Sequence, residues 1–168
     1  MGLDALAPKI ASHDEKSFDL LYQKLNKLVY LVCLSVVKNE ALAMDLCQDT
    51  FVTVWQKSGE FRGKGYKSWV ITIARNKSLN YLKKSQRIVL DGEEIEAEDT
   101  SVSIEDKVAL KMAIEHLSRQ DAEIVLLRAS GMKAREIAEL LAMPRGTVSW
   151  RYKQAIKHLE KMMKEERK

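Results

Sequence analysis

The chain has 168 residues, 46% hydrophobic and 31% charged, and its 28 Lys/Arg against 24 Asp/Glu leave a net charge of +4. This composition indicates a globular chain, and the length holds one domain or two small ones. No apolar run approaches the ~18 residues of a membrane span, no signal-peptide pattern opens the chain, and Leu6 stands where a myristoylation motif needs Ser or Thr.

Charge falls in blocks. Residues 57–87 hold nine Lys/Arg and one Glu, residues 88–106 hold eight Asp/Glu and no base, and residues 144–168 hold eight Lys/Arg and three Glu. Two basic blocks around an acidic one suggest two nucleic-acid surfaces and a linker. Cys33 and Cys47 share no CxxC spacing, and His13, His116 and His158 cluster with neither. They read as buried free thiols of a reducing cytosol, with no metal site and no cofactor.

Residues 1–11 read as a loose tail. Ser12 with Glu15 three residues on is a capping box, and it opens a helix with Phe18, Leu21, Leu25, Leu28, Val29, Val32 and Val36 on one face. Asn39 can cap the next helix, over roughly 40–57. There Met44, Cys47, Phe51, Val54 and Trp55 are expected inward. Asp45, Gln48, Asp49 and Val52, at i, i+3, i+4 and i+7, form a second stripe. The two carboxylates have no cation four residues away on their own helix. A solvated face is the plain reading, and a docking face for a basic partner helix the sharper one.

Residues 58–67 break the helical period with Gly59, Gly63 and Gly65, and interleave Phe61 and Tyr66 with Arg62, Lys64 and Lys67. Aromatics among cations supply π-faces for bases and charge for phosphates, as a single-stranded nucleic acid requires, although a plain glycine-rich loop has the same look. A helix over about 68–85 follows. Trp69, Ile73 and Ala74 are partly core there, and Arg75, Asn76, Lys77, Lys83 and Lys84 polar. Residues 88–102 lack apolar period and form a flexible acidic linker. Ser103 with Asp106 restarts helix, with Val108, Ala109, Met112 and Leu117 opening a second core. Ser118 with Asp121 caps a helix whose apolar positions are Ile124, Val125, Leu126 and Leu127. Gly131 supplies a left-handed stop.

Residues 131–156 read as two helices joined by a tight turn. Ile137, Ala138 and Leu141 share one face of the first, Ala142 and Met143 make the turn, and Pro144 starts the second. Val148, Tyr152, Ala155, Ile156 and Leu159 make a buried stripe, leaving Ser149, Trp150, Lys153, Gln154 and Lys157 outward. A helix with one apolar face and one face of amides, hydroxyls and cations suits a DNA major groove. The fold expected is all-α, with two small helical domains, 12–87 and 103–168, joined by the linker at 88–102.

Two separated blocks carry a resemblance. Asp45-Leu46-Cys47-Gln48-Asp49-Thr50-Phe51, Trp55, Phe61-Arg62-Gly63 and Trp69-Val70-Ile71-Thr72-Ile73-Ala74-Arg75-Asn76 resemble region 2 of bacterial sigma factors. Glu136-Ile137-Ala138 with Pro144-Arg145-Gly146-Thr147-Val148 resembles region 4. With no third domain between them, the chain resembles an extracytoplasmic-function sigma factor over roughly residues 14–163. The resemblance implies that Asp45, Gln48, Asp49 and Val52 grip the β′ clamp coiled coil of core RNA polymerase, and that the β flap is a second polymerase contact. It implies −10 DNA contacts from Phe61, Arg62, Lys64, Tyr66, Lys67, Trp69, Arg75 and Asn76. Phe61 and Tyr66 would stack on unpaired bases and Asn76 would read one. It implies −35 contacts from Arg145, Thr147, Ser149, Trp150, Arg151, Lys153, Gln154 and Lys157. The acidic linker resembles the segment that threads toward the RNA exit channel. A cytoplasmic, monomeric free protein is implied, inhibited by an anti-sigma factor that can hold it at the membrane. Many relatives have glycine where Ala142 stands, and Trp150 is bulky where small or polar residues are common.

A repressor or activator using the same helix-turn-helix is the second reading. It leaves the Phe61–Arg75 block unexplained and needs a ligand pocket or phosphorylation site that the sequence does not display. An enzyme ranks third, since no Ser/His/Asp or Cys/His set, phosphate loop or metal cluster stands out.

Overall fold

The computed structural model describes residues 2–90 and 114–166. Every regular element among the described residues is helical. The chain divides into two compact units, Met1–Thr100 and Ser101–Lys168. The expected linker from residue 91 onward lies outside the described residues, as do the helix restart at Ser103 and Asp106 and the core positions Val108, Ala109 and Met112.

The first unit contains α1 (Ala7–Ala11), α2 (Glu15–Val37), α3 (Glu40–Lys57) and α4 (Tyr66–Leu90). The last three pack pairwise against one another. Leu21, Leu25, Val29, Val32 and Cys33 of α2 meet Ala43, Cys47, Phe51 and Val54 of α3 and Val70, Ile71 and Ala74 of α4 in one core. Each large aliphatic buried there contributes about 1.5–3 kcal/mol of transfer free energy. The buried hydroxyls of Ser35, Thr50 and Ser78 donate back to Val32, Leu46 and Ala74 carbonyls of their own helices, which satisfies them locally. By length and composition α2 could cross a membrane, its mean hydropathy reaching 1.3, contrary to expectation. Polar residues interrupt its apolar run, and its apolar face is the core of this unit.

Asn39 caps α3 as expected, its Oδ1 accepting from the Leu42 N–H at 2.8 Å, after Lys38 has closed α2 in the left-handed region at φ 57°. Burial holds the Cys33 thiol above its usual range. Burial and the neighbouring Cys33 push Cys47 up to about 12, so both stay protonated.

The structure corrects the sequence reading at the N-terminus. Residues 2–11 are not a loose tail: Leu3–Ala5 form a 3-10 turn, α1 follows, and Leu6 and Ile10 are 1% and 0% exposed. The Leu6–Ile10 spacing was an i, i+4 signal, on an element too short for a period to register. Ser12 does not cap α2. Its own N–H is already bonded to the carbonyls of Pro8 and Lys9, so it closes α1 instead. The cap of α2 is Asp14, which accepts the Ser17 N–H at 3.0 Å and is held below the usual carboxylate range by hydrogen bonds from the Ser17 hydroxyl and backbone. α4 begins two residues before the expected start and runs to Leu90, so residues 88–90 of the expected linker are helical.

The second unit contains α5 (Arg119–Ala129), α6 (Ala134–Leu141) and α7 (Arg145–Glu166). Ser118 caps α5 as expected: its Oγ accepts from the Asp121 N–H at 3.2 Å and donates to the Asp121 carboxylate at 2.7 Å. Ile124, Val125, Leu126 and Leu127 are all buried, and Gly131 turns the chain at φ 88°. Glu136 reaches back to accept the Lys133 N–H at 2.7 Å at the start of α6. Ala142 then takes the left-handed region at φ 51°, and α7 starts just after Pro144, one residue later than expected. Val148 and Ala155 are fully buried under α5 and α6, with Tyr152, Ile156 and Leu159 half-buried.

Candidate nucleic-acid interface

Three surfaces carry the residues singled out from the sequence. On α3, the buried arc is Ala43, Leu46, Cys47, Thr50, Phe51 and Val54. The opposite arc holds Asp45, Gln48, Asp49 and Val52, all four exposed, with Val52 54% exposed at the end of the acidic stripe. Met44 was expected inward but is 42% exposed. It lies about 100° around the helix from the buried Ala43, which carries it out of the core arc. Trp55 is half-buried, with its ring 5.0 Å from Phe18 and 5.1 Å from His13. Beside the stripe, α2 and α3 form a groove of about 460 Å³ whose walls include Phe18, Tyr22, Phe51, Val52 and Trp55. Tyr22 was not singled out from the sequence. Its signal is the i, i+4 spacing from Phe18, which places both rings on one side of α2.

The turn between α3 and α4 is built differently. Ser58–Glu60 form a 3-10 turn, and Gly63 and Gly65 take φ of 93° and 89°, a region L side chains rarely adopt. Phe61, Tyr66 and Trp69 cluster there: Tyr66 and Trp69 stack with rings 5.4 Å apart and 14° between planes, and Phe61 packs edge-on to Tyr66 at 4.9 Å. Tyr66 is 0% exposed. The Ser58 hydroxyl donates to the Val54 carbonyl at 2.8 Å, so its oxygen accepts from the Tyr66 hydroxyl. A ring enclosed in this way offers no face to a base. Tyr66, expected as a stacking residue, is therefore a core residue that carries Phe61 and Trp69.

Around this cluster Phe61 and Trp69 are partly exposed, and Lys64 and Asn76 are exposed. Trp69 and Asn76, seven residues apart, share one side of α4. Lys67 and Arg75 are half-buried at the flanks. Arg62 donates to the Gly59 and Phe61 carbonyls, so its guanidinium also closes the turn.

The third surface is one helix face. Arg145, Ser149, Trp150, Lys153, Gln154 and Lys157 of α7 are all exposed, Trp150 to 62%, and Thr147 is partly so. Arg151, expected on DNA with them, points toward α5 and pairs with Asp121 at 2.9 Å, both side chains about a third exposed. One residue beyond Trp150, it falls about 100° off the outward stripe, and it acts as a strut between the two helices.

Residues 21–88 match the family model for sigma-70 region 2, and residues 107–159 that for sigma-70 region 4. The ECF RNA polymerase sigma factor BldN of Streptomyces coelicolor is 28% identical over 170 residues, covering 94% of this chain; the chain spans 64% of the length of that relative. Among solved structures, the sigma factor RpoE of Bartonella quintana, crystallised with the anti-sigma factor NepR, is similar at a TM-score of 0.72 and 26% identity over 89% of this chain and 98% of its own. CnrH, solved with the cytosolic domain of CnrY, shares the fold at a TM-score of 0.66 and 22% identity over 95% and 96%. With a region 2 helical unit followed by a region 4 helix-turn-helix, the chain belongs to the sigma-70 family, as an extracytoplasmic-function sigma factor.

Proposed function

We propose that the chain is an alternative specificity subunit of RNA polymerase, acting without catalysis of its own. It joins core enzyme, recognises −35 and −10 elements and melts the −10 region. The observation that carries this reading is the exposed stripe Asp45, Gln48, Asp49 and Val52 on α3, in a chain whose second unit is a helix-turn-helix. In a repressor that works alone this face would be a plain solvated surface.

In this reading the α3 stripe docks on the basic β′ clamp coiled coil, and the second unit meets the β flap. Phe61 stacks on an unpaired −10 base, Trp69 supports it and Asn76 reads a base edge, while Arg62, Lys64, Lys67 and Arg75 attract the phosphates. On α7, Arg145 and Lys157 contact phosphates, and Thr147, Ser149, Trp150, Lys153 and Gln154 face base edges of the −35 element. The protein works in the bacterial cytoplasm and is monomeric when free. It is inhibited by an anti-sigma factor, as RpoE is paired with NepR, and that inhibitor can hold it at the membrane.

Retention of genomic fragments by the purified chain, with and without sigma-free core polymerase, tests the reading. Selective retention only with core enzyme is expected. Tight, selective retention by the chain alone would favour the repressor instead.

A further inference from the structure

The start of α4 has no cap of its own. The residue before it is Gly65, which has no side chain, and two left-handed glycines leave the turn free to take many shapes in the absence of an outside constraint. The cap arrives from the other end of the unit. The Asp4 carboxylate accepts the Tyr66 N–H at 2.7 Å and the Gly65 N–H at 3.1 Å, across 61 or more positions of sequence. Asp4 is itself fixed: it lies in the 3-10 turn Leu3–Ala5, and the next residues, Leu6, Ala7 and Ile10, are buried in the unit. A carboxylate at a helix N-terminus satisfies open N–H groups and meets the positive end of the helix dipole.

We propose that residues 3–11 are a clasp and that Asp4 is a positioning residue for capture of the −10 strand. It holds the Gly63–Tyr66 turn in the single shape that presents Phe61, Lys64 and Trp69 together. Asp4 touches no base. It acts through the turn, which is preorganised before DNA arrives, so the ordering entropy is not charged against strand capture. This inference rests on the −10 assignment of the turn made above.

The test uses the full chain with core polymerase on a promoter fragment that the wild type opens, comparing Asp4→Ala and Asp4→Asn. Hydrogen exchange at Gly65 and Tyr66 is read on the free chain, and permanganate reactivity of the −10 region on the complex. Asp4→Ala is expected to speed exchange at those two amides and lower the yield of open complex by ~2–30-fold, the range a lost cap implies. Its melting temperature should fall by about 4–8 °C for each kcal/mol the cap is worth, while its co-elution with core polymerase should change little. Asp4→Asn keeps an oxygen that accepts and should recover most of the opening. Unchanged exchange in Asp4→Ala overturns the clasp. Faster exchange with unchanged opening overturns the positioning role, as does an equal loss of core binding and opening. A wild-type chain that opens no promoter with core enzyme overturns the −10 reading itself, and the positioning role falls with it.

Discussion

The DNA surfaces proposed for the two units are made in opposite ways. In the second unit the surface is one face of α7, where neighbours in space are three or four residues apart in sequence. In the first unit it is a glycine-rich turn whose shape depends on Tyr66 beneath it and on Asp4 from the far end of the unit. The α3 stripe is of the first kind, a single-helix face. A surface of the first kind should tolerate substitution one side chain at a time. A surface of the second kind should fail whenever any part of its support is removed, including parts that never touch DNA.

The largest expected effect separates Tyr66 from Phe61. Tyr66→Ala removes a fully buried ring and leaves the Ser58 oxygen without its donor. It should destabilise the first unit by about 3–5 kcal/mol, read as an early thermal transition by circular dichroism. Phe61→Ala should leave that transition in place and instead weaken −10 opening by about 1–3 kcal/mol, the worth of one base stack. If Tyr66→Ala melts like wild type and only opening suffers, the turn is a simple surface after all.

Next comes the α3 face. Asp45→Arg with Asp49→Arg places like charge against a basic partner and should weaken core polymerase binding on the order of a hundredfold, with the fold retained because both side chains are exposed. Co-purification with core enzyme at the wild-type level would remove that face from the account.

These outcomes bear on what the sequence could reveal. The α3 stripe and the outward face of α7 were legible residue by residue, because helical period alone decides which side chains point out. Asn39, Ser118 and Gly131 were legible because each acts on a helix end beside it. The Asp4 cap, the burial of Tyr66 and the folding of residues 3–11 were not. They depend on contacts between distant positions, and the local pattern of aromatics among cations is the same whether a ring points outward or inward. Arg151 was assigned to DNA for a related reason: its partner Asp121 lies on another helix.

Within α7, Lys153→Ala or Gln154→Ala should change which −35 sequence is selected from a randomised pool, each lost base contact being worth about 1–3 kcal/mol. Arg145→Ala or Lys157→Ala should weaken all sequences alike. Selection of the wild-type sequence by Lys153→Ala and Gln154→Ala would place base reading elsewhere on the helix.

The smallest effect concerns the turn of the helix-turn-helix. Ala142 holds a left-handed conformation with its side chain exposed. Ala142→Gly relieves that strain, partly offset by a freer unfolded chain, and should stabilise the second unit by about 0.5–1 kcal/mol without altering selection. Destabilisation would show that the Ala142 methyl makes a contact the turn needs.

The central claim, that one chain joins core polymerase and carries both promoter surfaces, is tested most directly by in vitro transcription. The purified chain would be added to sigma-free core polymerase on genomic fragments, with start sites mapped. Discrete starts that depend on the chain, each preceded by a shared pair of elements at −35 and −10, are the predicted result. The same random background of starts with and without the chain would contradict it.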